Sequence, residues 1–274
     1  MSPFVVDEKK CLRDGLCAAE CPLGLIKKKE KEAFPSSIEG AEELCIDCGH
    51  CVAICPTGAL SHRSMAPEDC PPVRRELFLG IEQTEHFLRA RRSIRNYKKK
   101  HVDRAILTRL IEIARFAPSG HNLQPVHWLV IEDREEVKKL GGLVIDWLRL
   151  MIAEQPQLAK PLHFDRVVKA WERGRDRVLH DAPHLVVTHG QQSMPIVQSA
   201  CIIALTYMEL AAPSFGLGAC WAGYFNRAVA SYSPLIETLA LPKDHHSYGS
   251  LMIGYPKYQY HRLPLRKEPK IAWR

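Results

Sequence analysis

The stretch Cys45-Ile-Asp-Cys-Gly-His-Cys-Val-Ala-Ile-Cys-Pro56 decides how the N-terminal part of the chain folds. Cys45, Cys48 and Cys51 follow one another with two residues between them, and Cys55 directly precedes a proline. Thiolates are soft ligands that suit iron and sulfide, and three of them at this spacing wrap one cubic cluster while the fourth, turned away by proline, reaches a neighbouring cluster. The stretch therefore predicts two iron-sulfur clusters.

The other cysteines support iron rather than disulfides or zinc. Seven of the ten cysteines lie between Cys11 and Cys55, whereas a disulfide framework belongs to small secreted chains. Paired cysteines also suit tetrahedral zinc, but zinc needs no proline-terminated fourth cysteine in each run. We interpret Cys201 and Cys220 as small buried apolar residues and assign Cys70 to no cluster.

An earlier run has the same offsets, with an aspartate in place of the second cysteine. Its residues are Cys11, Asp14, Cys17 and Cys21, the last again followed by proline. Two such runs resemble the duplicated bacterial two-cluster ferredoxin. The resemblance assigns Cys45, Cys48, Cys51 and Cys21 to one 4Fe-4S cluster, and Cys11, Cys17 and Cys55 to the other. Asp14 either ligates the fourth iron through oxygen or leaves that corner empty as 3Fe-4S, and we expect this iron to be lost first on oxidation.

Length and prolines predict two domains. The 274 residues, 46% of them hydrophobic, exceed what one ordinary domain needs. Three prolines in residues 65–73 disfavour helix and sheet alike. We expect a two-cluster ferredoxin domain over residues 1–70, a linker over 71–80 and an oxidoreductase domain over 81–274.

Charge differs between these parts. Residues 1–70 carry 8 Lys or Arg against 12 Asp or Glu, whereas the remainder carries 30 against 19, giving +7 overall. A basic domain suits nucleic acid, a membrane surface or an anionic cofactor. The sequence contains no basic stripe with interleaved aromatics, the pattern that would indicate nucleic-acid binding. The N-terminus lacks a secretory signal and polar residues interrupt the apolar run 196–213, so we expect a cytoplasmic protein without membrane contact.

Beyond the linker, apolar spacing predicts helices and short strands. Asp103 is suited to cap a helix that Pro118 ends. We expect another long helix from about residues 193–195 to Ala212. The predicted strands lie at residues 126–131, 185–188, 218–223 and 250–253. His245 and His246 are interpreted as a turn, and Trp147 and Met151 as core residues.

Two polar motifs predict how an anionic cofactor is held. No GxGxxG or GxxxxGK[ST] motif is present, but Arg91-Arg-Ser-Ile-Arg95 concentrates three guanidinium groups, which match phosphate oxygens. A strand-like alternation would aim Arg91, Ser93 and Arg95 at one phosphate. The predicted helix follows, and then the polar loop Ala117-Pro-Ser-Gly-His-Asn-Leu-Gln-Pro125.

The order of these motifs, continued by residues 216–223 and 254–264, resembles the nitroreductase family of FMN enzymes. The resemblance implies an α+β fold with a mixed sheet flanked by helices, and a homodimer whose flavin sites lie between subunits. By the same resemblance, Arg91, Arg92, Ser93, Arg95 and Arg262 hold the phosphate and ribityl chain, with Arg95 near the N1/O2 side of the ring. Ser119, Gly120, His121 and Asn122 contact the ring from the partner subunit, and Trp221, Ala222 and Gly223 lie against it.

Two departures leave the use of NAD(P)H open: Val126 stands where the family often has Trp, and residues 221–223 contain no acidic residue. Residues 143–180 are expected to form mobile helices that cap the site. No catalytic side chain is assigned, although His121 is a candidate proton donor.

The fusion has a chemical logic, because clusters pass single electrons whereas organic reductions take two. We expect an external donor, such as an electron-donor protein, to reduce the clusters, which then reduce FMN, and a small nitro or enone-like substrate to take hydride. Two alternatives stay open: an electron-carrier or flavin module that serves a partner protein, and a dehydrogenase running in the reverse direction.

Overall fold

The computed structural model describes residues 2–30 and 32–274, which fall into two compact units. The first unit comprises the chain up to Leu79 together with His121–Leu123. The second comprises Gly80–Gly120 and Gln124–Arg274.

The first unit consists of short elements around two antiparallel strand pairs, β1 with β4 and β2 with β3. Its elements are β1 (Phe4–Val6), α1 (Leu16–Glu20), β2 (Ile26–Lys27), β3 (Ser36–Ser37), α2 (Ala41–Leu44), α3 (His50–Ala53) and β4 (Leu60–His62). Its small core contains Phe4, Ile26, Val52 and Leu60. A core this small stabilises a domain weakly, which is why small domains commonly rely on metal sites or disulfides.

Two glycines shape the cysteine runs in the same way. Gly15 and Gly49 stand directly before α1 and α3, with φ of 79° and 72°. This left-handed conformation costs glycine nothing and turns the chain sharply within each run. A Cβ at Gly49 would also lie 2.7 Å from the Met65 sulfur. These turns let the leading cysteines of each run approach one another, Cys11 with Cys17 and Cys48 with Cys51.

The second unit has a four-stranded sheet in the order β5-β6-β8-β7. The sequence supplies α4 (Ile81–Ala90), α5 (Arg104–Ala114), β5 (His127–Ile131), α6 (Arg134–Glu154), α7 (Pro156–Ala159), α8 (Phe164–Glu172), β6 (His184–Gln191), α9 (Val197–Ala211), β7 (Gly218–Trp221), α10 (Gly223–Ala228), α11 (Ser233–Thr238) and β8 (His245–Gly254). The α+β class is confirmed. The three strand pairs of this sheet are antiparallel, so the described residues of one chain supply no parallel pair of the kind that a mixed sheet contains.

The central strand β6 explains the layering. Leu185 and Val187 pack into a core shared with α6, α8 and α10, whereas Val186 packs into a core shared with α5 and α9. Successive side chains of a strand point to opposite faces. Helices therefore cover both faces of the sheet.

Several predicted elements are confirmed. The Asp103 carboxylate accepts the Ala105 N–H at 2.8 Å and begins α5. The predicted strands correspond to β5, β6, β7 and β8. Trp147 is buried in the core and Met151 packs against it, as interpreted from their helical spacing. Cys201 and Cys220 are buried as predicted.

Two boundary predictions were wrong. The helix expected from residues 193–195 begins only at Val197, because the preceding residues form turns in which the Met194 N–H donates to Gln191 O. His245 and His246 do not form a turn; they pair with Gln191 and Gly190 at the start of β8. The turn lies just before them and is closed by the bond from His245 N to Pro242 O.

No helix of the described residues, 2–30 and 32–274, combines the length and apolar character that crossing a membrane requires.

Candidate functional site

The first cysteine run meets the end of the second around one cavity. Cys11, Asp14, Cys17 and Cys55 line it together. Burial raises the pKa of Cys17, and the charges of Cys11, Cys55 and Asp14 raise it further. The crosswise set that the ferredoxin resemblance assigns to one cluster thus surrounds a common space. An iron-sulfur cluster fits this donor set, since iron replaces the protons that closely spaced thiols retain.

The remaining cysteines of the second run also interact. Burial raises the pKa of Cys51 to about 11, with Cys48 and Cys45 as further causes. Cys21 and Cys55 hold equivalent positions: the Cys21 sulfur accepts the Leu25 N–H at 3.3 Å, and the Cys55 sulfur accepts the Ala59 N–H at 3.2 Å. The duplicated runs therefore share their local geometry.

A histidine that sequence reasoning missed contacts this second run. His62 Nε2 lies 3.3 Å from Cys45 Sγ and 3.4 Å from Asp47 Oδ1. The same three groups cluster closely enough to hold a metal ion. His62 lies seven residues beyond the last cysteine of the run, at the end of β4, so spacing alone gave no signal for it.

The arginine motif lies beside the end of the sheet. The Ile94 N–H donates to Ala219 O at 2.9 Å, and the Lys98 N–H donates to Tyr255 O at 2.8 Å. A Cβ at Gly218 would lie 2.3 Å from Ile94 Cγ1, so only glycine allows this close approach. The motif is therefore fixed against β7 and the residues that follow β8.

The extended motif separates its arginines between two cavities. Arg91 and Arg92 line a cavity of about 320 Å³ with Tyr258 and Tyr260. Arg95 lines another of about 290 Å³, together with the segment predicted to lie against the flavin ring, through Trp221 and Gly223. Within this chain, Arg95 shares a cavity with Trp221 and Gly223, whereas Arg91 lines the other cavity.

Ser93 and Ala222 belong to the same region. Burial raises the pKa of the Cys220 thiol, and the Arg95 charge and the Ser93 hydroxyl oppose this shift. Ala222 is fully buried, and its N–H donates to Ser250 O at 3.0 Å. The Ala222 N–H is thus engaged within the sheet.

A buried carboxylate joins the two predicted flavin segments. Glu209 on α9 accepts from Arg91 Nη1 at 2.9 Å and from Trp221 Nε1 at 3.1 Å. Its residue surface is only 6% exposed. In the sequence, Glu209 is one of the polar residues that interrupt the apolar run 196–213, and a lone acid in an apolar helix is itself a signal for a buried cation.

The other predicted flavin contacts lie apart from these cavities. Ser119 Oγ accepts the Gln124 N–H at 2.9 Å, and a Cβ at Gly120 would lie 3.2 Å from Ile196. His121 and Asn122 are left-handed residues that group with the first unit, in which Asn122 Nδ2 donates to the carbonyls of residues 46 and 47 at 3.2 and 3.0 Å. Arg262 is exposed and lines neither cavity.

An anionic flavin nucleotide fits the cationic lining. Arg92 and Arg95 form no salt bridge within the described residues, and each of them lines one of the two cavities. Arg92 and Arg95 are available to a phosphate or to an electron-rich ring edge.

Comparison with known proteins agrees with both halves of this description. The profile of the nitroreductase family matches residues 88–255, and that of a 4Fe-4S dicluster domain matches residues 4–56. The chain is 28% identical over 197 residues to an NADH dehydrogenase of Thermus thermophilus, covering 67% of this chain and 92% of that protein. It is 30% identical over 167 residues to an FMN reductase (NAD(P)H) of Bacillus subtilis, covering 60% and 62%.

Solved structures share the fold of the second unit. A nitroreductase with bound FMN from Desulfitobacterium hafniense DCB-2 superposes with a TM-score of 0.56 at 23% identity, covering 69% of this chain and 97% of that one. A BluB-like flavoprotein from Clostridium difficile 630 gives 0.52 at 20% identity, covering 68% and 94%. Since the family profile covers more than half of its 274 residues, the chain belongs to the nitroreductase family.

Proposed function

We propose that the chain is an FMN-dependent iron-sulfur oxidoreductase in which electrons pass from two clusters to FMN and on to a small electron-poor substrate of the nitro or enone type. The observation that carries this proposal is the joint lining of one cavity by Cys11, Asp14, Cys17 and Cys55, in a chain whose second unit has the nitroreductase fold. Clusters bound in this way supply single electrons to a two-electron reduction.

The cluster ligands are proposed as the ferredoxin resemblance gives them. Cys45, Cys48, Cys51 and Cys21 hold one 4Fe-4S cluster. Cys11, Cys17 and Cys55 hold the other, with Asp14 as an oxygen ligand. The proposed domains are residues 1–70 for the clusters, 71–80 for the linker and 81–274 for FMN.

The flavin contacts follow the family motifs. Arg91, Arg92, Ser93, Arg95 and Arg262 bind the phosphate and ribityl chain, and Trp221, Ala222 and Gly223 line the ring. FMN, when bound, accepts single electrons and gives up two as a hydride. The role of the protein is to bind FMN. Arg92 and Arg95 supply positive charge that no carboxylate of the described residues neutralises, while the ion pair with Glu209 orients Arg91.

A homodimer completes the proposed site, with Ser119, Gly120, His121 and Asn122 contributed by the second copy. The described residues of α4 support this proposal because none of them is buried in the single chain. An amphipathic helix needs a partner surface for its apolar side. The similarity to an NADH dehydrogenase and to an FMN reductase (NAD(P)H) supports a nicotinamide as a second source of electrons, besides a donor protein.

The test is anaerobic purification followed by quantification of iron, sulfide and FMN. Two clusters predict about seven or eight irons per chain. The variant Cys48→Ser should lose iron and reduce 4-nitrobenzamide more slowly with a reduced viologen as donor, whereas Cys70→Ser, an exposed thiol outside both runs, should match the parent. Equal rates in both variants would contradict the electron route. Zinc in place of iron, or a folded protein without FMN, would contradict the redox function itself.

A further inference from the structure

One open cavity of the second unit is strongly cationic. It measures about 1180 Å³, and eight Lys or Arg side chains line it against two Asp. Among these cations are Lys98, Lys99, Arg166, Arg175 and Arg177. Like charges gathered around one space repel one another unless a counter-charge enters.

The protein itself supplies little counter-charge. Only two carboxylates face the eight cations, and one of them, Asp176, is held in the local turn by the N–H groups of Val178, Leu179 and Asp181 at 2.7, 2.9 and 3.0 Å. Within the described part of the chain, no salt bridge involves Arg175 or Arg177. The cavity therefore keeps an excess of positive charge.

This cavity adjoins the smaller one that Trp221 and Gly223 line. Both are lined by Arg95, Leu162, His180 and Tyr224. A molecule with its reducible group near Trp221 would place its far end among the free arginines. We propose that the substrate carries a carboxylate or phosphate in addition to its electron-poor group. This inference rests on the proposed function and names the substrate class of the same site.

The test compares 4-nitrobenzoate with 4-nitrobenzamide, which differ in charge and little in shape. The kcat/KM ratio of acid to amide should exceed one, and it should fall as salt screens the charges. The double variant Arg175→Gln with Arg177→Gln should lower the ratio about fivefold, the scale of partly exposed ion pairs. Arg173→Gln, an arginine outside the cavity, is the matched control.

Equal kcat/KM values for acid and amide, or a double variant with the parent ratio, would overturn the anionic substrate class. Reduction of the amide in that case would leave the proposed function standing. Failure to reduce either compound under reducing conditions would instead reject the nitroreductase-type function.

In the first unit, the two ring nitrogens of His62 contact different partners, Ser64 and Cys45. The Ser64 N–H donates to His62 Nδ1 at 3.2 Å, and the Ser64 hydroxyl lies 2.8 Å from the same nitrogen. A backbone N–H only donates, so Nδ1 is an acceptor and carries no proton. The neutral imidazole then carries its proton on Nε2. That N–H is directed at Cys45 Sγ, 3.3 Å away.

The contact is shielded from competitors. The His62 side chain is 1% exposed. Asp47 Oδ1, the other neighbour of Nε2, already accepts two bonds from Arg63, at 2.9 and 2.7 Å. We infer that His62 raises the reduction potential of the cluster bound by Cys45, because an N–H directed at a thiolate stabilises the charge added on reduction. This inference rests on the proposed assignment of Cys45 as a ligand.

The test is a redox titration of the intact protein monitored by electron paramagnetic resonance. His62→Leu should lower the potential of one cluster by the equivalent of about tenfold in its reduction equilibrium, about 59 mV for one electron. His62→Gln, which keeps an N–H donor, should recover part of the shift. His50→Gln, an exposed histidine within the same run, is the matched control.

An unchanged potential with full iron in His62→Leu would overturn the inference. Loss of iron in that variant would also overturn it, by making His62 a ligand rather than a donor. Full iron in Cys45→Ser would instead reject the ligand assignment on which the inference rests.

Discussion

Asp14 is the residue at which the two cysteine runs differ in their chemistry. It lines the same cavity as three cysteines, and its carboxylate accepts the Leu16 N–H at 3.1 Å. Carboxylate oxygen is a harder ligand than thiolate and holds ferrous iron less firmly. Asp14→Cys should therefore raise the iron content to about eight per chain and slow iron loss in air. Iron analysis and spin signals over time check this result.

Asp14→Ala is the matched control, since it removes the oxygen ligand and should leave three irons at that site even without air. Identical rates of iron loss in the parent protein and in Asp14→Cys would show that Asp14 does not set the lability of the cluster.

Glu209 is a buried charge whose removal we expect to destabilise the second unit. It is buried between Arg91, whose side chain is 27% exposed, and the Trp221 indole. Removing one partner of a buried pair leaves the other charge uncompensated, although the exposure of Arg91 reduces the cost. Glu209→Ala should lower the free energy of unfolding by about 2 kcal/mol. Urea titration checks this value, and Glu112→Ala, from an exposed pair with Arg109, should change it by under about 1 kcal/mol.

At the scale of elements, three adjacent strands bring histidines together on one sheet face. His189 on β6 lies beside His127 on β5 and bonds to His245 on β8, with Nδ1 atoms 3.0 Å apart. Burial, followed by these two neighbours, lowers the pKa of His189 to about 4. The unfolded chain binds this proton near its ordinary value of about 6.5. The stability contributed is therefore full above pH 6.5 and is lost as pH falls toward 4.

The folded protein should lose about 2 kcal/mol of stability from this site between about pH 7 and about pH 5. His189→Gln should flatten that slope, while His246→Gln, an exposed neighbour, should not. Chemical unfolding at the two pH values measures it. His184 keeps part of the slope in both variants, since burial and His101 lower its pKa to about 4 as well. An unchanged slope in His189→Gln would exclude the strand cluster as its source.

Elements governed by local signals were predictable from sequence. The α5 helix begins where Asp103 caps it, because capping involves neighbours in the chain. Ser193 and Pro195 also suit the start of a helix, yet they lie in the turn that joins β6 to α9, and the helix begins at Val197. Residue type alone did not predict this turn, which connects two elements of the tertiary fold. Glu209 and His62 escaped prediction as site residues because their partners, Arg91 and Cys45, are distant in sequence.

At the scale of the molecule, the single chain leaves apolar surface that a second copy would cover. On α4, Ile81 is 90% exposed and Leu88 is 50% exposed, and seven residues of spacing put them on one face. The C-terminal segment adds Trp273, 89% exposed. Ile81 and Leu88 form an exposed apolar strip on α4, and such a strip on a soluble protein commonly marks an interaction site.

We therefore expect a dimer of twice the chain mass of 31.1 kDa in sedimentation. Ile81→Glu with Leu88→Glu should shift the protein toward monomer and release FMN, because the proposed contacts from Ser119 to Asn122 come from the second copy. His86→Glu, exposed on another side of α4, should leave both mass and flavin content unchanged. A double variant that becomes monomeric yet keeps its FMN would place the whole flavin site within one chain. A parent protein that sediments as a monomer with full FMN would do the same.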